Sequence, residues 1–349
     1  MKCAQSPVFL SGSVSSRESR EVEKSSGVTH CHFPFRLQMA HVMQDNWETA
    51  ADQGYPLPVR PSGSISPEVT RETVIRQLLS ILIFPFVIAD HLKKKRREVL
   101  GSRPFPGAWL EIIERNVSLY GLLAGELQDR LLKHVQVFLS EKRFEGCEGL
   151  QITDEIRVTI AAQACFLLLN REATYYPKLR TILVYPGGYI ARRAKGIGPE
   201  ETTPGEPRLG ESWPRDYVVL SWDDARRTAA DLEDGHNLVL HEFAHQLDVE
   251  NGAVDGAPML RGRSHYATWA RVLSLEYRTF CRKVAKGEQD VVDAYGAKNP
   301  AEFFAVLTEI FFEKPKELKE YHPALYDQLM GFYRVDPAAW RAAASNPDP

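Results

Sequence analysis

In LVLHEFAHQLD, residues 238–248, His241 and His245 stand four apart and Glu242 follows the first histidine. On a helix this spacing puts both imidazoles on one face, where they can hold one zinc ion while Glu242 takes a proton from an attacking water. Leu240, Phe243 and Leu247 lie beside the polar line and can bury the helix, which would keep the ligands rigid. The chain has only 10 histidines in 349 residues. Chance therefore supplies on the order of 0.02 copies of H-E-x-x-H in a chain of this size. Two ordinary helix histidines are the competing reading, and the apolar lead-in and amphipathic context speak against it.

Hydrolytic zinc sites use three protein ligands and leave one position open. A metzincin would continue with Gly three residues after the second histidine and another His three beyond, but those positions hold Asp248 and Asn251. The third ligand must therefore come from farther along the chain. In DAYGAKNPAEFFAVLTEIFFEKP, Asn299 reads as a helix N-cap, Pro300 as the first helical residue and Glu302 as the third. Glu302 could ligate, or it could close a capping box on Asn299. Glu309, seven residues on, shares its approximate face and is the other candidate. Tyr295 by position alone reads as a partly buried anchor with a bonded hydroxyl. Asp248 could orient a ligand imidazole through its second ring nitrogen or simply end the helix before Asn251 and Gly252.

The blocks HEFAHQLD and DAYGAKNPAEFFAVLTEIFF, with weaker support from FPGAWLEIIERNVSLY and TILVYPGGYI, resemble the Mlc titration factor A family of zinc peptidases (peptidase family M90). That family in turn is similar to the catalytic domain of anthrax lethal factor. The resemblance runs from about Phe105 to Pro337. It implies a zincin-like gluzincin domain in which His241, His245 and Glu302 bind one catalytic Zn2+. It further implies that Glu242 is the general base and that Tyr295 assists by donating to the oxyanion. One member of the family binds a transcription repressor, so a repressor protein is an implied partner beside a peptide or protein substrate. Whether cleavage would be of the aminopeptidase or endopeptidase kind stays open.

These side chains need a scaffold, and the text upstream supplies it. PFPGAWLEIIERNVSLYGLL and ELQDRLLKHVQVFLSEKRF carry apolar residues at helical intervals, and IRVTIAAQACFLLLNR is apolar nearly all round, as expected of a buried helix. LRTILVYPGGYI and YVVLSW read as two short strands separated by a Gly- and Pro-rich excursion from Arg192 to Asp216. Helices, then strands, then helices predict an α+β domain with a small sheet. The strand near Tyr217 to Trp222 could pair with an extended peptide.

Four regions are expected: a disordered extension over 1–72, an apolar and basic arm over 73–100, the zinc metallopeptidase domain over 101–340 and a flexible tail over 341–349. In the arm, the apolar run Leu78–Ala89 precedes HLKKKRR and is too short to span a bilayer, so a packed helix and peripheral membrane contact through 74–97 are the competing readings. The 43 Lys and Arg against 46 Asp and Glu leave a net charge of -3, which argues against a broad nucleic-acid surface. Five scattered cysteines without a C-x-x-C pair predict reduced thiols and a cytoplasmic setting, with membrane association as the alternative. A noncatalytic, zinc-stabilised regulatory binding protein is the rival function, and an intact Glu242 speaks against it, since zinc binding alone needs no base.

Overall fold

A computed structural model describes residues 87–187 and 216–345. The expected extension over 1–72, residues 73–86 of the arm, most of the Gly- and Pro-rich excursion and residues 346–349 lie outside that description. The described chain opens with helix α1, residues 87–101. There follow α2 (Gly107–Asn116), α3 (Gly125–Glu141), β1 (Arg143–Gly146), α4 (Asp154–Phe166), β2 (Thr181–Tyr185), β3 (Tyr217–Ser221) and α5 (Trp222–Ala230). The H-E-x-x-H motif lies in α6 (Leu238–Asp248), followed by α7 (Gly262–Ala285) and α8 (Pro300–Glu313). The chain closes with α9 (Pro315–Tyr321), α10 (Pro323–Tyr333) and α11 (Pro337–Ser345). The last four helices each begin on proline, whose fixed φ suits the first turn and whose missing N–H is no loss there.

The fold is α+β. Its sheet has three parallel strands in the order β1-β2-β3. In register, Phe144 lies beside Ile182 and Ile182 beside Val218. Ile182, Val184, Val218 and Leu220 are all buried, so one row of the pleat faces the helices. Parallel neighbours cannot be joined by a hairpin, and α4 makes the crossover between β1 and β2.

Strand β1 is absent from the sequence reading, which runs the preceding helix through Arg143 and Phe144. The helix instead stops at Glu141, and Lys142 turns extended with φ -110° and ψ 142°. The Lys142 ammonium donates to the carbonyls of Tyr176 at 2.8 Å and Leu179 at 2.7 Å, contacts that no local pattern announces. The third predicted helix is likewise shorter than its apolar text, ending at Phe166.

Helix α4 is buried on every side except near its ends, and α8 is buried almost throughout. Helix α6 lies against both α4 and α8. Phe243 from α6 packs its ring 4.8 Å from Tyr176 and 5.7 Å from Phe138, measured between centroids. Of the arm, α1 is held by Arg97, whose guanidinium makes two bonds to Glu141 at 2.7 and 2.8 Å and lies 4.4 Å over the Tyr175 ring. Cys147, Cys165 and Cys281 are free thiols. Among the described residues no helix is long and apolar enough to cross a membrane.

The turn that follows α6 joins the two motif-bearing helices. Asp248 ends α6, and its Oδ2 accepts the amide of Gly256 at 2.9 Å. The Gly256 carbonyl in turn accepts the Trp269 indole N–H at 3.0 Å. Gly256 has φ +74°, and a Cβ there would come 2.3 Å from the Pro300 carbonyl oxygen at the start of α8. Only glycine allows this approach. We therefore expect Gly256→Ala to cost about 2 kcal/mol or more in chemical unfolding, because the end of α6 and the start of α8 are both displaced.

Candidate metal centre

Helix α6 begins where the motif needs it. Asn237 caps it, its Oδ1 accepting the Leu240 amide at 2.9 Å. The two histidines then face the same side, with ring centroids 4.9 Å apart and their Nε2 atoms 3.3 Å apart. Asn299 caps α8 in the same way, accepting the Glu302 amide at 2.9 Å. The Glu302 carboxylate points to the histidines, with Oε2 at 3.1 Å from His241 Nε2 and 3.2 Å from His245 Nε2.

These three atoms form a nearly equilateral triangle. Tetrahedral zinc with bonds of about 2.0–2.1 Å requires donor-to-donor edges of about 3.3 Å. The observed edges of 3.1, 3.2 and 3.3 Å match that requirement. Among the described residues, His241, His245 and Glu302 are the group of His, Cys, Asp and Glu side chains close enough to share an ion. Two imidazoles and one carboxylate form a donor set suited to catalytic zinc.

Glu309 is placed differently from Glu302. Seven residues further along α8, it meets the other ring nitrogen of His241 and stays outside the triangle. Its Oε1 lies 2.7 Å from His241 Nδ1, and its Oε2 accepts the Asn237 amide at 2.6 Å. A carboxylate at Nδ1 holds the proton on that side and leaves the Nε2 lone pair directed at the triangle. Glu313, 1% exposed, follows one turn later and accepts from Asn237 Nδ2 at 3.0 Å. Asn237 thus bonds to the α6 first turn, Glu309 and Glu313 at once. Sequence reasoning assigned no role to Asn237 or Glu313. The available signal was Glu302, Glu309 and Glu313 at intervals of seven and four, on one face of an otherwise apolar helix.

The electrostatics favour a cation at the triangle. Burial alone would raise the Glu302 pKa, but hydrogen bonds from His241 and His245 hold it well below the usual carboxylate range. Burial would lower that of His241, yet the charge of Glu309 and the hydrogen bonds that Glu302 and Glu309 accept from it push it up to about 10. At Glu313 burial dominates: it lifts the carboxyl to about 9, against the Asn237 bond and with help from the Glu309 charge. Glu313 is therefore a neutral acid at pH 7.

The remaining predicted residues surround this centre. Glu242 is buried on α6, and its charge reaches both His241 and Tyr295, raising the pKa of each. Tyr295 lies in a 3-10 turn, Ala294–Lys298, and its hydroxyl donates to Glu302 Oε1 at 3.3 Å. Burial and the Glu302 charge keep its phenol protonated well above the ordinary range. Lys298 Nζ stands 3.4 Å from the same hydroxyl and 3.7 Å from Glu302 Oε1. Asp248 is fully buried, bonded to Gly256 and within electrostatic reach of His245. Its pKa rises to about 6 because burial outweighs the Gly256 bond.

A parallel-stranded α+β domain with H-E-x-x-H on one buried helix and a glutamate from a second helix closing the triangle defines a gluzincin-type metallopeptidase fold. The chain matches the family described as glucose-regulated metallo-peptidase M90 over residues 91–334, and it belongs to that family. It is 40% identical over 247 residues to the protein slr2042 of Synechocystis sp., covering 69% of this chain and 89% of that one. It is 32% identical over 250 residues to Mlc titration factor A of Yersinia pestis (strain Pestoides F), covering 69% of this chain and 91% of the relative. The same figures hold for Mlc titration factor A of Yersinia pseudotuberculosis serotype O:1b.

Two measurements follow from this geometry. Glu302→Ala should abolish stoichiometric zinc in metal analysis, whereas Glu309→Ala should keep zinc and weaken it about 10–100-fold in chelator competition. The Glu313 carboxyl is raised to about 9 in the fold from an ordinary value of 4.5. The neutral form is favoured by the fold, so the stability it allows is complete below pH 4.5 and declines as pH rises towards 9. Glu313→Gln should therefore unfold at the native temperature at pH 5 and above it at pH 8. Parallel profiles for the two proteins would refute the neutral buried acid.

Proposed function

We propose that this protein is a zinc-dependent peptidase in which Glu242 is the general base and Tyr295 the oxyanion donor. The observation that carries the reading is the matched triangle of His241, His245 and Glu302 with Glu242 on the same buried helix. Bound zinc supplies Lewis-acid chemistry, polarising the scissile carbonyl and acidifying water at neutral pH. Glu242 accepts the proton of the attacking water and delivers it to the departing amine, so no covalent protein intermediate is needed. The Tyr295 phenol, protonated and close to the triangle, donates a hydrogen bond to the oxygen on which negative charge develops. Lys298 beside that hydroxyl adds positive charge on the same side.

Glu309 keeps His241 in the ligating tautomer, while Asp248 holds the Gly256 turn within electrostatic reach of His245. Among the described residues strand β3 is an edge of the sheet, and it contacts the motif helix, which suits it to lie beside an extended peptide substrate. Relatives of this chain carry the name Mlc titration factor A, and the family resemblance implies a repressor partner. We extend this to the chain as binding of a transcription-repressor protein, with a cytoplasmic site of action.

Glu242→Gln should retain one zinc per chain while peptide cleavage falls about 10²–10⁴-fold. Tyr295→Phe should also retain zinc and lose about 10²–10³-fold in kcat. Cleavage by Glu242→Gln at the native rate would sink the general-base assignment. Zinc retention without cleavage by the native protein, across peptide substrates, would favour a noncatalytic binding role.

A further inference from the structure

Helix α1 is exposed on all sides over residues 87–96 and meets the domain through Arg97 and Leu100. The inner face is fixed by the Arg97 pair with Glu141, the stacking of Arg97 on Tyr175 and the packing of Leu100 on the core. The outer face carries Ile88, Leu92 and Val99, which are 41%, 60% and 58% exposed. At about 100° per residue these three fall within about 40° of one another, on a single stripe.

The charges around that stripe are not evenly placed. Lys95 lies about 40° to one side of its centre and Arg96 about 60° to the other, while Asp90 falls on the opposite side of the helix and Glu98 about 100° away. Asp90 is also engaged, paired with Lys94 at 3.1 Å. Lys93, Lys94, Lys95 and Arg96 are all exposed. The apolar stripe is therefore bordered by cations on both flanks, with no acidic group beside it.

We propose that the outer face of α1 docks on an anionic lipid surface, with Ile88, Leu92 and Val99 entering the interface and Lys95 and Arg96 meeting the headgroups. Three aliphatic side chains are too small an apolar face to hold a membrane alone, and the flanking cations supply the attraction that such helices need. A protein partner is less well matched, because the face lacks the aromatic anchors that dominate protein interfaces. The Arg97 clamp gives α1 a fixed seat, so docking through this stripe would hold the zinc domain at the surface without spanning the bilayer. This inference does not depend on catalysis.

Flotation of the full chain with phosphatidylcholine vesicles, with and without phosphatidylglycerol, tests it. Binding is expected only with phosphatidylglycerol and is expected to weaken as salt rises. The pair Leu92→Asp/Val99→Asp and the pair Lys95→Glu/Arg96→Glu should each weaken binding about 10-fold or more, with zinc content and unfolding temperature at native values. Absence of binding to the anionic vesicles overturns the proposal. So does native-strength binding by both paired variants, which would assign the attachment to another segment, or equal binding to neutral vesicles. Capture of a polyanion such as RNA without any vesicle binding would likewise overturn it.

Discussion

Glu302 has to bring a charged carboxylate to two imidazoles on another helix while standing at the head of a helix that is otherwise almost wholly buried. Desolvation would make such a charge expensive if it were left alone. The structure meets the cost with two imidazoles at 3.1 and 3.2 Å, a cap from Asn299 on its amide and a phenol on its second oxygen. The rest of the domain follows from that requirement. Helix α8 must lie against α6 with its first turn level with His241 and His245, and the Gly256 turn brings the end of α6 against the start of α8 at a separation only glycine permits.

The three glutamates of α8 show how one helix face can hold like groups in different states. Glu302 is ionised because it meets two imidazoles, and Glu309 is bonded to His241 and the Asn237 amide. Glu313 has only a neutral amide for its first oxygen, and its second is buried without a hydrogen-bond partner among the described residues. Burial therefore keeps it protonated. Glu302 and Glu309 each reach an imidazole and Glu313 bonds only to Asn237, which links Glu309 and Glu313 to the first turn of α6. The polar chain from Glu313 to His241 belongs to the same construction as the metal triangle, since a ligand held in the wrong tautomer would turn its proton towards the ion.

Much of the site was legible in the residue pattern because its signals are local. Leu238 to Asp248 contains its own periodicity and both histidines, and the helix spans the same residues as the motif, although its Asn237 cap went unread. Asn299 and Pro300 mark the start of α8 equally plainly. Two strands of the sheet could be read from their β-branched runs, whereas the RFEG strand could not, because its conformation is imposed by pairing with β2 and by Lys142 reaching carbonyls more than thirty residues away. In the arm, the pattern identified apolar and basic residues together. Which of them face outward was set by the Arg97 clamp on Glu141, 44 residues distant.

Glu302 and Glu309 mark the boundary between these two kinds of information. Residue types and spacing established two histidines with a base between them and a later helix carrying carboxylates on one face, because helical periodicity is a property of the local chain. Periodicity alone left both carboxylates as candidates, since both lie on that face, and only the family resemblance assigned the ligand role to Glu302. The division came from how α6 and α8 cross: the head of α8 meets the Nε2 side of the histidines, and its middle meets the Nδ1 side of His241. That relation is fixed by packing between segments some 60 residues apart, through contacts such as Gly256 on Pro300 that no periodicity within either helix encodes.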